Sequence, residues 1–108
     1  MTRIIEVFKP TGILDAANGD RLRSQVIKSL EHGSEVFLVD LEDVTFMNSS
    51  GIGALVATYS QVKKARKKMF LCSPNSQIRL ILELTAIDGI LKTFENKADF
   101  EVFWNSGQ

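Results

Sequence analysis

The sequence predicts an α/β fold built on a mostly parallel sheet, and three observations carry that expectation. Val36-Phe37-Leu38-Val39 is an unbroken apolar run rich in β-formers, of the kind covered on both faces in a parallel sheet. Soon after it, apolar residues recur at Ile52, Leu55, Val56, Tyr59 and Val62, which is helix spacing. Segments of these two kinds then alternate along the chain with short connections. Sites in open α/β sheets lie where strands end and helices begin. The turn Met47-Asn48-Ser49-Ser50-Gly51 occupies such a place.

The elements follow in order. Arg3 to Phe8 is partly β-branched and reads as a strand. Lys9-Pro10-Thr11-Gly12 is a turn signal, after which Ile13-Leu14 adds a short second strand. That Pro-Gly turn suggests an antiparallel or mixed first edge. Asp15 is the expected N-cap of a first helix, with Leu22, Val26 and Leu30 on one face supported by Ile27. Gly33 fits its stop, with Lys28 and His32 near the negative end of the dipole. The apolar strand and a helix over 52–67 come next, the helix packing through Ile52, Leu55, Val56 and Tyr59. Met69 to Cys72 is a further strand. Pro74-Asn75-Ser76 starts a third helix with Ile78, Ile81 and Leu82 inward. Asp88-Gly89 turns the chain into a short strand around Leu91 to Phe94. A last helix after Asn96 is expected to carry Ala98, Val102 and Trp104 inward, and Asn105 to Gln108 to fray.

At 108 residues the expectation is one domain, 1–108, large enough to fold without disulfides or metal. Thirteen basic and thirteen acidic residues cancel, so charge gives no pull toward nucleic acid or membrane. The lone Cys72 is expected to be a buried, reduced thiol. No signal peptide is read in MTRIIEVFKP, and no apolar run approaches the ~18 residues needed to span a bilayer. The expected compartment is therefore the cytoplasm.

The stretch from Asp40 to Gly53, Asp-Leu-Glu-Asp-Val-Thr-Phe-Met-Asn-Ser-Ser-Gly-Ile-Gly, resembles the signature of STAS domains, in particular the bacterial anti-sigma-factor antagonists. The family pattern is a strand ending in Asp-Leu, then Val-x-Phe-Met/Ile-Asp-Ser-Ser/Thr-Gly-Leu/Ile-Gly. Gly12 to Asn18 resembles the family's entry into its first helix. Leu71 to Pro74 with Ile78 to Leu84 resembles its later half, so the likeness covers nearly the whole chain. The resemblance implies a small mixed β-sheet with helices packed mainly on one face. It implies partner switching: the unphosphorylated antagonist binds an anti-sigma factor that is also a serine kinase, the kinase phosphorylates the second serine, and a separate phosphatase resets it. Carried over residue by residue, the phosphoacceptor is Ser50. Asn48, Ser49, Ser50, Gly51, Ile52 and Gly53 form the partner-binding turn, with Gly51 and Gly53 letting the partner approach closely. One residue departs from the pattern. Asn48 stands where the family has Asp, keeping an oxygen acceptor but losing the charge.

Other features are weighed against plainer readings. Outside this signature, Ser49 and Ser50 would be read as helix caps. Asn48-Ser49-Ser50 also matches a glycosylation sequon, read as coincidence without a secretion signal. Gly51-x-Gly53 lacks the third glycine of a dinucleotide fingerprint, since Val56 stands there, so no cofactor is expected. Asp40 is placed like the phosphoacceptor of a response regulator, but Phe8-Lys9-Pro10 supplies no acidic pair, so its role is structural. The basic run Lys63 to Lys68 is read as a solvated helix end in preference to an acidic-partner or lipid-headgroup patch. His32 has no companion at metal spacing. Phe100, Phe103 and Trp104 are read as packing. No nucleophile–base pair is visible, so no enzyme is expected. The competing reading is a non-phosphorylated accessory subunit of a membrane lipid or solute transport system, clamping an ATPase. A pocket at the sheet end for a nucleotide or other small ligand is a third. The oligomeric state is left open.

Overall fold

The structure is a computed structural model and describes residues 5–107. Arg3 and Ile4 of the expected first strand, and Gln108, lie outside the described residues. Ten regular α and β elements are described. The strands are β1 (Ile5–Phe8), β2 (Gly12–Leu14), β3 (Val36–Asp40), β4 (Val44–Met47), β5 (Lys68–Cys72) and β6 (Thr93–Phe94). The helices are α1 (Ala16–Glu31), α2 (Ser49–Lys64), α3 (Ser76–Leu84) and α4 (Lys97–Asn105), with a single 3₁₀ turn at Ile87–Gly89.

A four-stranded sheet runs in the order β1-β3-β5-β6, and every pairing in it is parallel. All five residues of β3 are buried, as expected for a strand covered on both faces. Its period-2 alternation divides the core. Phe37 and Val39 join Leu22 and Val26 of α1, Leu55 and Val62 of α2, and Ile78 and Leu82 of α3 in one cluster. Val36 and Leu38 join Phe70, Phe94, Phe100 and Trp104 in the other, beneath α4. Three helices therefore share one set of core residues and the fourth completes the second, as the α/β reading with helices mainly on one face requires.

The expected antiparallel or mixed first edge is corrected. β1 lies beside β3 in parallel register, Ile5 opposite Val36, because α1 intervenes as a crossover. β2 does not fold back on β1. Gly12 sits at φ +75° and its N–H donates to the Asp43 carbonyl at 2.9 Å, which steers β2 into a separate parallel pair with β4. β4 itself was not anticipated.

Each helix begins with the same device. Asp15, Asn48, Asn75 and Asn96 each accept a hydrogen bond from the backbone N–H three residues on, satisfying a donor that the helix leaves unpaired. α2 starts at Ser49 and not Ile52 because Asn48 caps it. It ends at Lys64 and not Lys67 because Arg66 turns left-handed at φ 62°. The Lys67 N–H then reaches the Val62 carbonyl and the Arg66 N–H the Lys63 carbonyl, a Schellman closure. α1 closes in the same way, with Gly33 at the left-handed position.

The expectation for α4 is corrected at two positions and holds at Trp104, which is buried. Ala98 and Val102 face solvent, and Phe100 and Trp104 are the buried pair. Aromatic rings bury far more apolar area than Ala or Val. They pack against Phe70 and Phe94 in tilted and edge-to-face contacts, the Phe70–Phe100 centroids lying 5.4 Å apart. Asp40 is structural, as read: its Oδ1 accepts from the Glu42 N–H at 3.0 Å. Cys72 is a buried free thiol.

Candidate functional site: the start of the second long helix

The site is assembled where β4 hands over to α2. Met47 is buried and anchors the end of the strand. Asn48 is extended, and its Oδ1 accepts the Gly51 N–H at 2.9 Å. Its own N–H donates to the Leu14 carbonyl at 3.3 Å, tying the turn to the end of β2. The cap is therefore Asn48, and neither serine is needed for it. A cap needs an acceptor oxygen and not a charge, so Asn supplies it as well as Asp.

Six residues were expected to form the partner-facing turn, and the structure divides them. Asn48, Ser49, Ser50 and Gly53 are exposed. Ile52 is half-buried and packs against the larger core cluster. Gly51 is buried, and its role differs from the one expected. A β-carbon there would overlap the Leu14 carbonyl oxygen and lie 3.2 Å from the Asp15 nitrogen. The close approach that Gly51 permits is between two parts of this chain. At Gly53 an added β-carbon would meet nothing within 4 Å. The fold itself has no use for a glycine there, and glycine in a helix costs about 1 kcal/mol relative to alanine.

The same close approach joins α1 to α2. A β-carbon at Gly19 would lie 2.5 Å from the Ala54 methyl, so the two helices meet through small residues. Gly19 escaped the sequence reading, although an isolated glycine inside a helical pattern is a signal of close packing. Also missed was the apolar flank. Ile13 of β2 and Phe46 of β4 are register partners, 50% and 43% exposed. Both strands lead directly into the capping residues Asp15 and Asn48. The exposed serines thus stand beside an uncovered aliphatic–aromatic pair.

Just before the start of β4, one lysine is held by two carboxylates. Lys9 lies 3.0 Å from Glu42 and 3.7 Å from Asp43. The hydrogen bond that Lys9 donates to Glu42, reinforced by the Asp43 charge, raises its pKa. A cleft of about 560 Å³ opens at the end of β1 against α1, where a sheet-end ligand would bind. Its two cations are engaged, Lys9 as described and Arg21 by the Asn18 amide oxygen at 2.6 Å. The cleft offers no specific support for a nucleotide. Among the described residues no three His, Cys, Asp or Glu side chains cluster to hold a metal, and no helix is long and apolar enough to cross a membrane.

Comparison with known proteins matches residues 2–100 to the STAS domain family model. A curated relative, the anti-sigma F factor antagonist of Paenibacillus polymyxa, is 22% identical over 98 residues, covering 90% of this chain and 84% of the relative. The crystal structure of an anti-sigma factor antagonist from Mycobacterium paratuberculosis superimposes with a TM-score of 0.77 at 20% identity, covering 92% of this chain and 84% of the other. The STAS domain of a SulP transporter from Vibrio cholerae superimposes with a TM-score of 0.80 at 18% identity, covering all of this chain and 88% of the other. The fold thus serves both regulators and transporter domains.

Proposed function

The chain belongs to the STAS domain family, and from that premise we propose that it is a cytoplasmic partner-switching regulator of the anti-sigma-factor-antagonist type. In this reading it is not an enzyme. Its turn at Asn48 to Gly53 docks on an anti-sigma factor that is also a serine kinase. Phosphorylation of Ser50 releases it, and a separate phosphatase restores it. One observation carries the reading: Ser50 is exposed in the first turn of α2 and Asn48 does the capping. Among the described residues the Ser50 hydroxyl makes no hydrogen bond that the fold would lose on modification. The exposed, sterically unneeded Gly53 and the Ile13–Phe46 pair supply a partly apolar surround.

The energetics favour a switch that leaves the fold intact. A phosphoserine carries about −1.5 to −2 charges at pH 7. At a helix N-terminus the dipole favours such a charge by about 0.3–1 kcal/mol. Buried and unpaired in a docked interface, the same charge costs several kcal/mol. Each ~1.4 kcal/mol is tenfold in affinity, so the interface cost decides.

Asn48 in place of the family's Asp favours the second reading, a non-phosphorylated accessory subunit of a membrane lipid or solute transport system. The test is affinity capture from native lysate of the source cell, with identification of the bound protein, followed by incubation with ATP. A captured serine kinase that adds phosphate to Ser50 and then dissociates supports the first reading. A captured transport ATPase with no phosphate at Ser50 overturns it in favour of the second.

A further inference from the structure

The basic run at the end of α2 does more than finish a helix. Lys63, Lys67 and Lys68 converge with Lys92, which the topology brings from the approach to β6, on a cavity of about 280 Å³. Tyr59, Met69, Phe70 and Ile90 give it an apolar part, and Ile90 is 54% exposed. The helix dipole accounts for Lys63, in the last turn of α2. It does not account for Lys68, in β5, or for Lys92. Nor do carboxylates. Lys67 lies 3.5 Å from Glu35. Lys92 stands over the Phe94 and Phe103 rings, at 5.3 and 5.2 Å from their centroids. Among the described residues Lys63 and Lys68 have no carboxylate partner, and no acidic residue lines the cavity. In a chain of zero net charge, four ammonium groups have been gathered around one partly apolar hollow, where they repel one another.

The geometry points to a docking site for an acidic peptide segment of a partner protein, an apolar side chain entering the hollow while flanking carboxylates meet the lysine rim. A phosphate ligand fits less well. Phosphate cradles use helix N-termini and backbone N–H groups, whereas this hollow lies at the C-terminal end of α2. The site is independent of the serine turn. Ser50 and Lys63 are thirteen positions apart on one helix, about 20 Å at the helical rise.

The test uses the full chain, ¹⁵N-labelled, titrated with an acetylated heptapeptide of aspartates and glutamates around one central leucine. The control has asparagine and glutamine in their place. The amides of Tyr59, Lys63, Lys68, Ile90 and Lys92 should shift with the acidic peptide, while those of Ser49 to Gly53 stay still. Lys68→Gln combined with Lys92→Gln should weaken binding about tenfold, and so should the amide control. Both positions are exposed, so the double variant should fold normally. Equal binding of the two peptides, or binding unchanged in the double variant, overturns the proposal. So do larger shifts of the same amides with inorganic phosphate, which would make the hollow a phosphate site.

Discussion

The α-carbon of Gly51 lies against the backbone carbonyl of Leu14, so closely that a single methyl group on Gly51 would overlap the oxygen. This contact fixes the start of α2 on the end of β2 and positions the serine turn. The neighbour that must yield is backbone, not a flexible side chain. Gly51→Ala is therefore expected to destabilise the fold by about 3 kcal/mol or more, at or beyond the upper end of ordinary overpacking. Urea unfolding of the variant checks this. A native-like midpoint would show that β2 gives way easily.

Gly53→Ala should act in the opposite direction on stability. It removes the helix penalty and meets no neighbour, so it should stabilise by about 0.5–1 kcal/mol. If Gly53 faces the partner, the same variant should bind more weakly while melting later. Phe46→Ser should likewise weaken binding, since the ring is uncovered in the free chain. Melting curves alongside affinities for the captured partner test both.

Asn48→Ala should cost about 1 kcal/mol through the lost cap, while Asn48→Asp should keep it. The expected order of urea midpoints is Asn48 close to Asp, with Ala below.

Arg66 holds a left-handed conformation at the place where α1 uses Gly33. Arg66→Gly is expected to raise stability by about 0.5–1 kcal/mol, as the strain at that position exceeds the entropy that glycine adds to the unfolded chain. Thermal unfolding of the variant reads this directly.

Burial pushes the Cys72 thiol up from its ordinary 9.0, against a smaller lowering by a hydrogen bond from Ser73. The folded chain thus holds this proton more tightly than the unfolded chain. Its contribution to stability is complete below pH ~9 and is lost as pH rises through the folded value. At pH 8, iodoacetamide should react at least about tenfold more slowly with native protein than with protein in urea.

Much of the fold was legible because its signals are local. The apolar run of β3, the helix period of α2, and the Asp15 cap each lie within a few residues. β4 was missed because its burial runs buried-exposed-exposed-buried, which has no period of two. On α4, Trp104 was legible as an inward residue, but Ala98 and Val102 were misplaced because the face is selected by the distant Phe70 and Phe94, which pack on Phe100 and Trp104. At the site, the exposed serines could be expected from the motif. The burial of Gly51 could not, since it depends on Leu14, a neighbour only in the fold. The lysine hollow was hidden for the same reason: Lys92 is remote in sequence from Lys63.

The central claim is that Ser50 lies in a docking surface and switches it. Because Asn48 caps α2, neither Ser50→Ala nor Ser50→Asp removes a hydrogen bond on which the helix depends. Aspartate in the first turn is favoured by the dipole, so both variants should fold. Titration calorimetry of the folded variants against the captured partner is the most direct measurement. Ser50→Ala should bind within a few-fold of the wild type, since one lost hydroxyl costs about 1 kcal/mol. Ser50→Asp should bind at least about tenfold more weakly, a lower bound because aspartate has roughly half the charge of a phosphoserine. Equal affinities of the two variants would contradict the account and leave Ser50 as an ordinary residue of a helix start.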